Sequence, residues 1–204
     1  SRNKLFTFSS LAAMIHYAAT FAITFLISLY LQYIKGLSPQ AAGMIIVAQP
    51  VMMATFSPLA GKWSDKIEPR KIASIGMGLT ALGLFLLAWI GKDTGLIYIT
   101  ATLLLLGFGF AMFSSPNMNA IMSSVEKRYL GIASGTVATM RLIGQMSSMA
   151  IVMVLFAVVI GHVEIAPENY PQFIRCVNLS FSIFVLLCIV GIFFSLFRGK
   201  LRGR

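Results

Sequence analysis

The sequence is short of charge. Asp, Glu, Lys and Arg make up only 11% of its 204 residues, against about a quarter in an ordinary soluble domain. That shortage excludes a surface solvated by water in the usual way. Cysteine is almost missing. Cys176 and Cys188 stand twelve positions apart on one predicted helix, about 18 Å at 1.5 Å per residue. They are too far apart to bridge each other and do not read as metal ligands, so both read as small core hydrophobes. Low-complexity tracts and a separate polar domain are also absent. The chain carries no HExxH, GxSxG or phosphate-binding loop and no paired carboxylates inside an apolar run. Chemistries that depend on those groups are thereby excluded, and no enzyme activity, cofactor or metal is expected.

What the chain has in quantity is uninterrupted apolar sequence. Residues 5–34, 36–61, 72–91, 94–125 and 176–197 carry no charge, and 129–163 carries only Arg141. A helix of roughly 20 apolar residues crosses the ~30 Å hydrocarbon core of a bilayer, so each run is long enough to span. The runs are continuous, without the alternating ~10-residue segments of outer-membrane strands. An all-α membrane protein with six spans follows, with helices at about 5–33, 39–61, 71–90, 95–117, 130–160 and 174–197.

A net charge of +10 could suggest nucleic acid, but the placement of the cations excludes it. Arg2 and Lys4, then Lys62, Lys66, Arg70 and Lys71, then Lys127 and Arg128, and finally Arg198, Lys200, Arg202 and Arg204 all fall on one side of the six spans. The other side holds Lys35, Lys92 and Arg175. The positive-inside rule puts the basic side, and with it both ends of the chain, in the cytoplasm. A multi-pass protein of the cell membrane is expected. The chain opens on Ser1 without a cleavable signal pattern, which suggests processing or a longer parent protein.

Within the spans, Ser38 and Pro39 form a standard helix start for the second. Pro50 and Pro58 lie inside that span and either kink a cavity wall or bend for packing. The third span has Gly76, Gly78 and Gly83, which permit close helix contact. The fourth is expected to break or fray at "SSPNMN". The fifth opens with Gly131 and Gly135 as a small-residue face, with Gly144 beyond them. The sixth is almost wholly apolar and reads as a lipid-facing outer helix.

Three stretches resemble the major facilitator superfamily of secondary transporters. "GKWSDKIEPRK" is similar to its inner-loop motif: Gly61, Asp65, Lys66, Arg70 and Lys71 match, while Glu68 stands where the motif has glycine. "LYLQYIKGLSPQAAGMI" leading to "SPLAGKWSD" resembles the C-terminal half of fourteen-span drug:proton antiporters. "SSPNMNAIMSSVEKRYLGIASGTVATMRLIGQ" resembles the penultimate span of that group. The resemblance covers essentially the whole chain. It implies half of a major facilitator fold, the C-terminal one, built as two inverted three-helix repeats with substrate held between halves. The first, second, fourth and fifth spans would face the cavity, and the third and sixth would lie outside. The function implied is proton-coupled export of lipophilic or cationic drug-like compounds by alternating access. The partners implied are the lipid bilayer, an N-terminal transporter half, a small-molecule substrate and protons. The matched loop residues would form a conformational latch; signalling topology alone, with Asp65 solvated, is the other reading.

The polar residues inside the spans agree with that arrangement independently. His16 lies in the first, Gln49 in the second, Asn117 at the end of the fourth, and Arg141 and Gln145 in the fifth. Arg141 costs about 2.5–3.5 kcal/mol at the centre of a span on insertion scales. It reads as a cavity cation that meets a carboxylate or substrate of the other half, or as a side chain snorkelling to the headgroups. His16 reads as a titratable group or as an interhelical hydrogen-bond partner. Tyr17, Met52, Met53, Phe56, Met112 and Phe113 supply soft surface for varied apolar ligands, or plain packing. All six carboxylates lie outside the middle of the spans, so proton-carrying acids would have to come from elsewhere. The competing possibility is a stand-alone six-span protein that homodimerises into a pore or transporter.

Overall fold

The computed structural model describes residues 2–161 and 164–197. Ser1, His162, Val163 and the C-terminal cations Arg198, Lys200, Arg202 and Arg204 lie outside the described residues. Eight α-helices follow one another: α1 (Arg2–Thr20), α2 (Ile23–Leu29), α3 (Pro39–Ile46), α4 (Ala48–Lys66), α5 (Pro69–Leu87), α6 (Leu96–Ser123), α7 (Leu130–Val159) and α8 (Tyr170–Phe197). They make six segments long and apolar enough to cross a membrane. The first span joins α1, α2 and a π-helical turn at Tyr30–Ile34. The second joins α3 and α4.

Local chemistry sets the turns. Gly36 has φ +64°, a left-handed conformation that costs glycine nothing, and it turns the chain out of the first span. Ser38 then accepts a hydrogen bond from the Ala41 N–H at 3.2 Å, with Pro39 in the first turn. Pro50 has no N–H to give to the turn before it, and the second span is interrupted one turn earlier, at Val47.

The packing has an internal symmetry. The first span packs on the fifth, and the second on the fourth; the first also packs on the sixth, and the third on the fourth. The third meets the sixth, and the first meets the fourth. Exchanging the first three spans for the last three maps this pattern onto itself. Three is an odd number of crossings, so the two repeats run in opposite directions through the membrane. The fold is therefore two inverted three-helix repeats. Its main core draws Ile23, Leu26 and Ile27, Leu84 and Leu87, Leu103 and Leu106, and Phe181 and Phe184 from the first, third, fourth and sixth spans.

Lipid tails are as apolar as leucine, so the helices gain little from hydrophobicity when they meet and rely on close fit. The seam between α5 and α6 shows it. A Cβ on Gly76 would overlap the Phe113 backbone, and one on Gly83 would lie 2.6 Å from Leu106. Gly78, by contrast, faces open space.

Three expectations change. The fourth span does not break at Pro116. It runs on to Ser123 with Pro116 and Asn117 buried, because Asn117 Nδ2 donates to the Ser9 carbonyl at 3.0 Å and ties this end to α1. The second span continues five residues past Gly61, so Asp65 and Lys66 ride on its last turn. Gly131 and Gly135 are exposed, and a Cβ on either would meet open space, so within this chain they form no packing face. Gly144 does: a Cβ there would overlap the Met14 carbonyl and lie 3.0 Å from Tyr17 Cβ.

Candidate functional site

A cavity of about 630 Å³ opens between the first, second, fourth and fifth spans. Tyr17, Thr20, Phe21, Thr24, Phe25 and Ser28 form one side. Gln49 of α4, Phe110 of α6, and Gln145 and Met149 of α7 complete it. No lining residue belongs to the third or sixth span, and none is charged.

The first span is broken beside this cavity. Its helix is interrupted at Phe21 and Ala22, near the middle of Lys4–Ile34. The Ala22 N–H donates instead to Ser148 Oγ of α7 at 3.0 Å. Two residues earlier, the Thr20 hydroxyl donates to the His16 carbonyl at 2.7 Å. A backbone donor at membrane depth must find a partner, and here a neighbouring helix supplies it. No proline or glycine lies at the break; Thr20 bonding back to its own helix is a known cause of bending.

Of the residues expected at a cavity, Tyr17, Gln49 and Gln145 line this one. His16 sits behind its wall. It is buried, stacked on Phe113 with ring centroids 4.2 Å apart, and meets the edge of Phe110 at 4.9 Å. Neither ring nitrogen has a hydrogen-bond partner among the described residues. Asn117 is spent on Ser9, and Phe113 and Met112 are core residues. Met52 packs towards Gly107. Phe56 meets Phe108 edge-on at 5.1 Å, and neither Met53 nor Phe56 reaches the cavity.

Arg141 is exposed and makes no ion pair or hydrogen bond among the described residues. It lies four residues before Gln145 on α7, just over one turn or about 6 Å along the axis, on the stripe that carries Gln145 and Met149.

At the basic end, Gly61 packs closely on α6: a Cβ there would lie 3.0 Å from Ser115 Oγ. Its carbonyl accepts from the Ser64 hydroxyl at 2.6 Å, and Ser64 Oγ accepts from Asn119 Nδ2 at 2.8 Å. Glu68, the departure from the loop motif, pairs with Arg70 at 2.8 Å. Asp65 neither caps the third span nor pairs with a cation among the described residues. The residue before that helix is Glu68, with no side-chain cap, and Asp65 stays exposed and unpaired. Lys66 and Lys71 are exposed as well.

Several lining residues were not expected from the sequence: Thr20, Phe21, Thr24, Ser28 and Phe110. With Tyr17, four of them repeat every three or four positions, which places them on one helical face. A stripe of hydroxyls and aromatics continuing from Tyr17 was the available signal.

The profile of the Major Facilitator Superfamily matches residues 9–203. This chain belongs to that superfamily. Its relatives are transporters. It is 26% identical over 196 residues to the riboflavin transporter RibZ of Clostridioides difficile (strain 630), covering 96% of this chain and 43% of that protein. It is 30% identical over 151 residues to the uncharacterized transporter YebQ of Escherichia coli (strain K12), covering 74% and 33%. The tetracenomycin C resistance and export protein of Streptomyces glaucescens is 27% identical over 148 residues, covering 72% and 27%. The chain thus spans less than half the length of these relatives. Six apolar helices and membership of this superfamily make it a multi-pass membrane protein.

Proposed function

We propose that the chain is the C-terminal half of a proton-coupled secondary transporter that exports lipophilic compounds across the cell membrane by alternating access. The observation that carries this reading is the cavity, which the two least covered spans help to line. In the best membrane-spanning window of the second and fifth spans, 11% and 17% of residues are buried, against 61% in the first. These faces are where a second six-helix half would dock, and the cavity would then lie between the halves. The export and resistance relatives favour a lipophilic cargo; the riboflavin transporter shows that the superfamily relatives are not confined to drugs.

Each group has a role in this reading. Arg141, exposed on the cavity stripe, meets a carboxylate of the other half. That half also supplies the acids that carry protons. Asp65, unpaired among the described residues, takes a cation of the other half in one conformation and releases it in the next. A contact that differs between two states shifts the balance between them. The basic ends lie in the cytoplasm.

The test uses the full-length protein that carries this chain, in inverted membrane vesicles. An acid-inside gradient is expected to drive accumulation of a fluorescent lipophilic compound, and a protonophore to abolish it. Accumulation that ignores the gradient, or none for any compound tried, would overturn the proposal.

A further inference from the structure

We infer that Phe21 is the specificity-determining residue of the cavity: its ring is the platform on which a flat aromatic substrate stacks, so that a fused aromatic compound is preferred to a saturated one of the same frame. The inference rests on the reading of the cavity as a substrate site.

Three phenylalanines line the cavity, Phe21, Phe25 and Phe110, and two of them are already engaged. Phe25 meets Phe156 edge-on with ring centroids 6.4 Å apart, and Phe110 meets His16 in the same manner at 4.9 Å. Both are only partly exposed. Phe21 is 45% exposed and has no ring partner among the described residues. Lipid does not account for that bare ring, because Tyr17, Thr24 and Gln145 line the same cavity.

The backbone beneath the ring is fixed. The Phe21 N–H donates to the Tyr17 carbonyl at 3.1 Å, and the next N–H, that of Ala22, donates to Ser148 Oγ at 3.0 Å. Ala22 and Ser148 are fully buried. A ring carried on so firm a base loses little freedom when a ligand settles on it. Aromatic rings attract one another beyond the area they bury, in offset or edge-on contact with centroids roughly 4.5–7 Å apart. A saturated ring of the same outline covers Phe21 without that added attraction. The preference concerns the ring and is independent of the acids that the other half supplies.

Two neutral probes share one tricyclic frame and one hydroxyl: 9-phenanthrol, flat and aromatic, and its perhydro derivative, fully saturated. Binding is titrated on the full-length protein in lipid nanodiscs, with partition into empty nanodiscs subtracted, and transport is followed in inverted vesicles. 9-Phenanthrol is expected to bind about five-fold tighter than the saturated probe. Phe21→Leu should remove that preference and leave binding of the saturated probe unchanged. Phe21→Tyr, which keeps the ring, should keep the preference, and so should Phe25→Leu, with normal size-exclusion profiles for all three. The inference is overturned if the wild type binds the two probes equally or binds neither, if Phe21→Leu retains the preference, or if Phe21→Tyr loses it as Phe21→Leu does. Gradient-driven transport of both probes with no preference between them would sink this inference and leave the transport reading standing. A Phe21-dependent preference in binding without transport would do the reverse.

Discussion

The fifth and sixth spans both leave long surfaces bare in this chain, and the two surfaces differ in kind. Along α8 the exposed stripe is Leu186, Ile189, Val190, Phe193 and Phe197. Along α7 the exposed and half-exposed positions include Thr136, Thr139, Arg141 and Gln145 beside Ile132, Leu142 and Met146. Exposure alone therefore does not distinguish a lipid face from a face that meets protein or water; the polar groups do. Their inward faces differ as well. α8 meets α5 through a pair of hydroxyls, Ser74 donating to Ser195 at 2.9 Å. α7 meets α1 through a glycine contact and a serine that accepts from a broken backbone. In the proposed transporter one span would stand against lipid and the other would carry a site.

The comparison can be broken most severely by placing a charge on the lipid side. Leu186→Arg should cost about 2.5–3.5 kcal/mol of insertion free energy and sharply lower the amount of protein in the membrane. Arg141→Gln should leave that amount normal and cut transport. Next comes the inner seam. Gly144→Ala should lower stability by about 1–3 kcal/mol through overpacking against Met14 and Tyr17, seen as a lower melting temperature in detergent, whereas Gly135→Ala should change it little within this half.

The hydroxyls give a finer contrast. Ser148→Ala leaves the Ala22 N–H without its acceptor and should cost about 1 kcal/mol, together with faster hydrogen exchange at Ala22. Ser195→Ala should cost a few tenths, since the Ser74 hydroxyl can turn to a carbonyl of its own helix. The smallest effect on stability belongs to Asp65→Asn, an exposed site with nothing bonded to it among the described residues. Its melting temperature should match wild type, and tags on the two sides should report unchanged orientation. Transport should nevertheless fall, and unchanged transport would remove Asp65 from the mechanism.

How much of this was legible from the sequence follows from the range of each interaction. The six spans were, because length and apolarity are local properties. Tyr17, Gln49 and Gln145 stood out because a polar side chain inside an apolar run is visible without knowing its neighbours. The break at Ala22 was not, since the acceptor that satisfies its freed N–H, Ser148, lies 126 residues away. Pro116 misled for the same reason. Its local signal is to end a helix, but Asn117 reaches Ser9 across 108 residues and the helix continues. Phe110 looked like any other aromatic in a membrane helix, and only its place between His16 and the cavity gives it a role. Glu68 could be recognised as a departure from the loop motif; that it would occupy Arg70 depended on geometry.

The central claim is that the bare face of the fifth span looks into a substrate path and that of the sixth looks into lipid. Single cysteines at Gln145 and at Leu186, in the full-length protein with Cys176 and Cys188 replaced by Ala, allow a direct measurement with a membrane-impermeant thiol reagent. Gln145→Cys should be labelled from one side of the membrane and protected by a transported compound, while Leu186→Cys stays unlabelled. Equal labelling at the two positions, or labelling at position 145 that no transported compound changes, would contradict it.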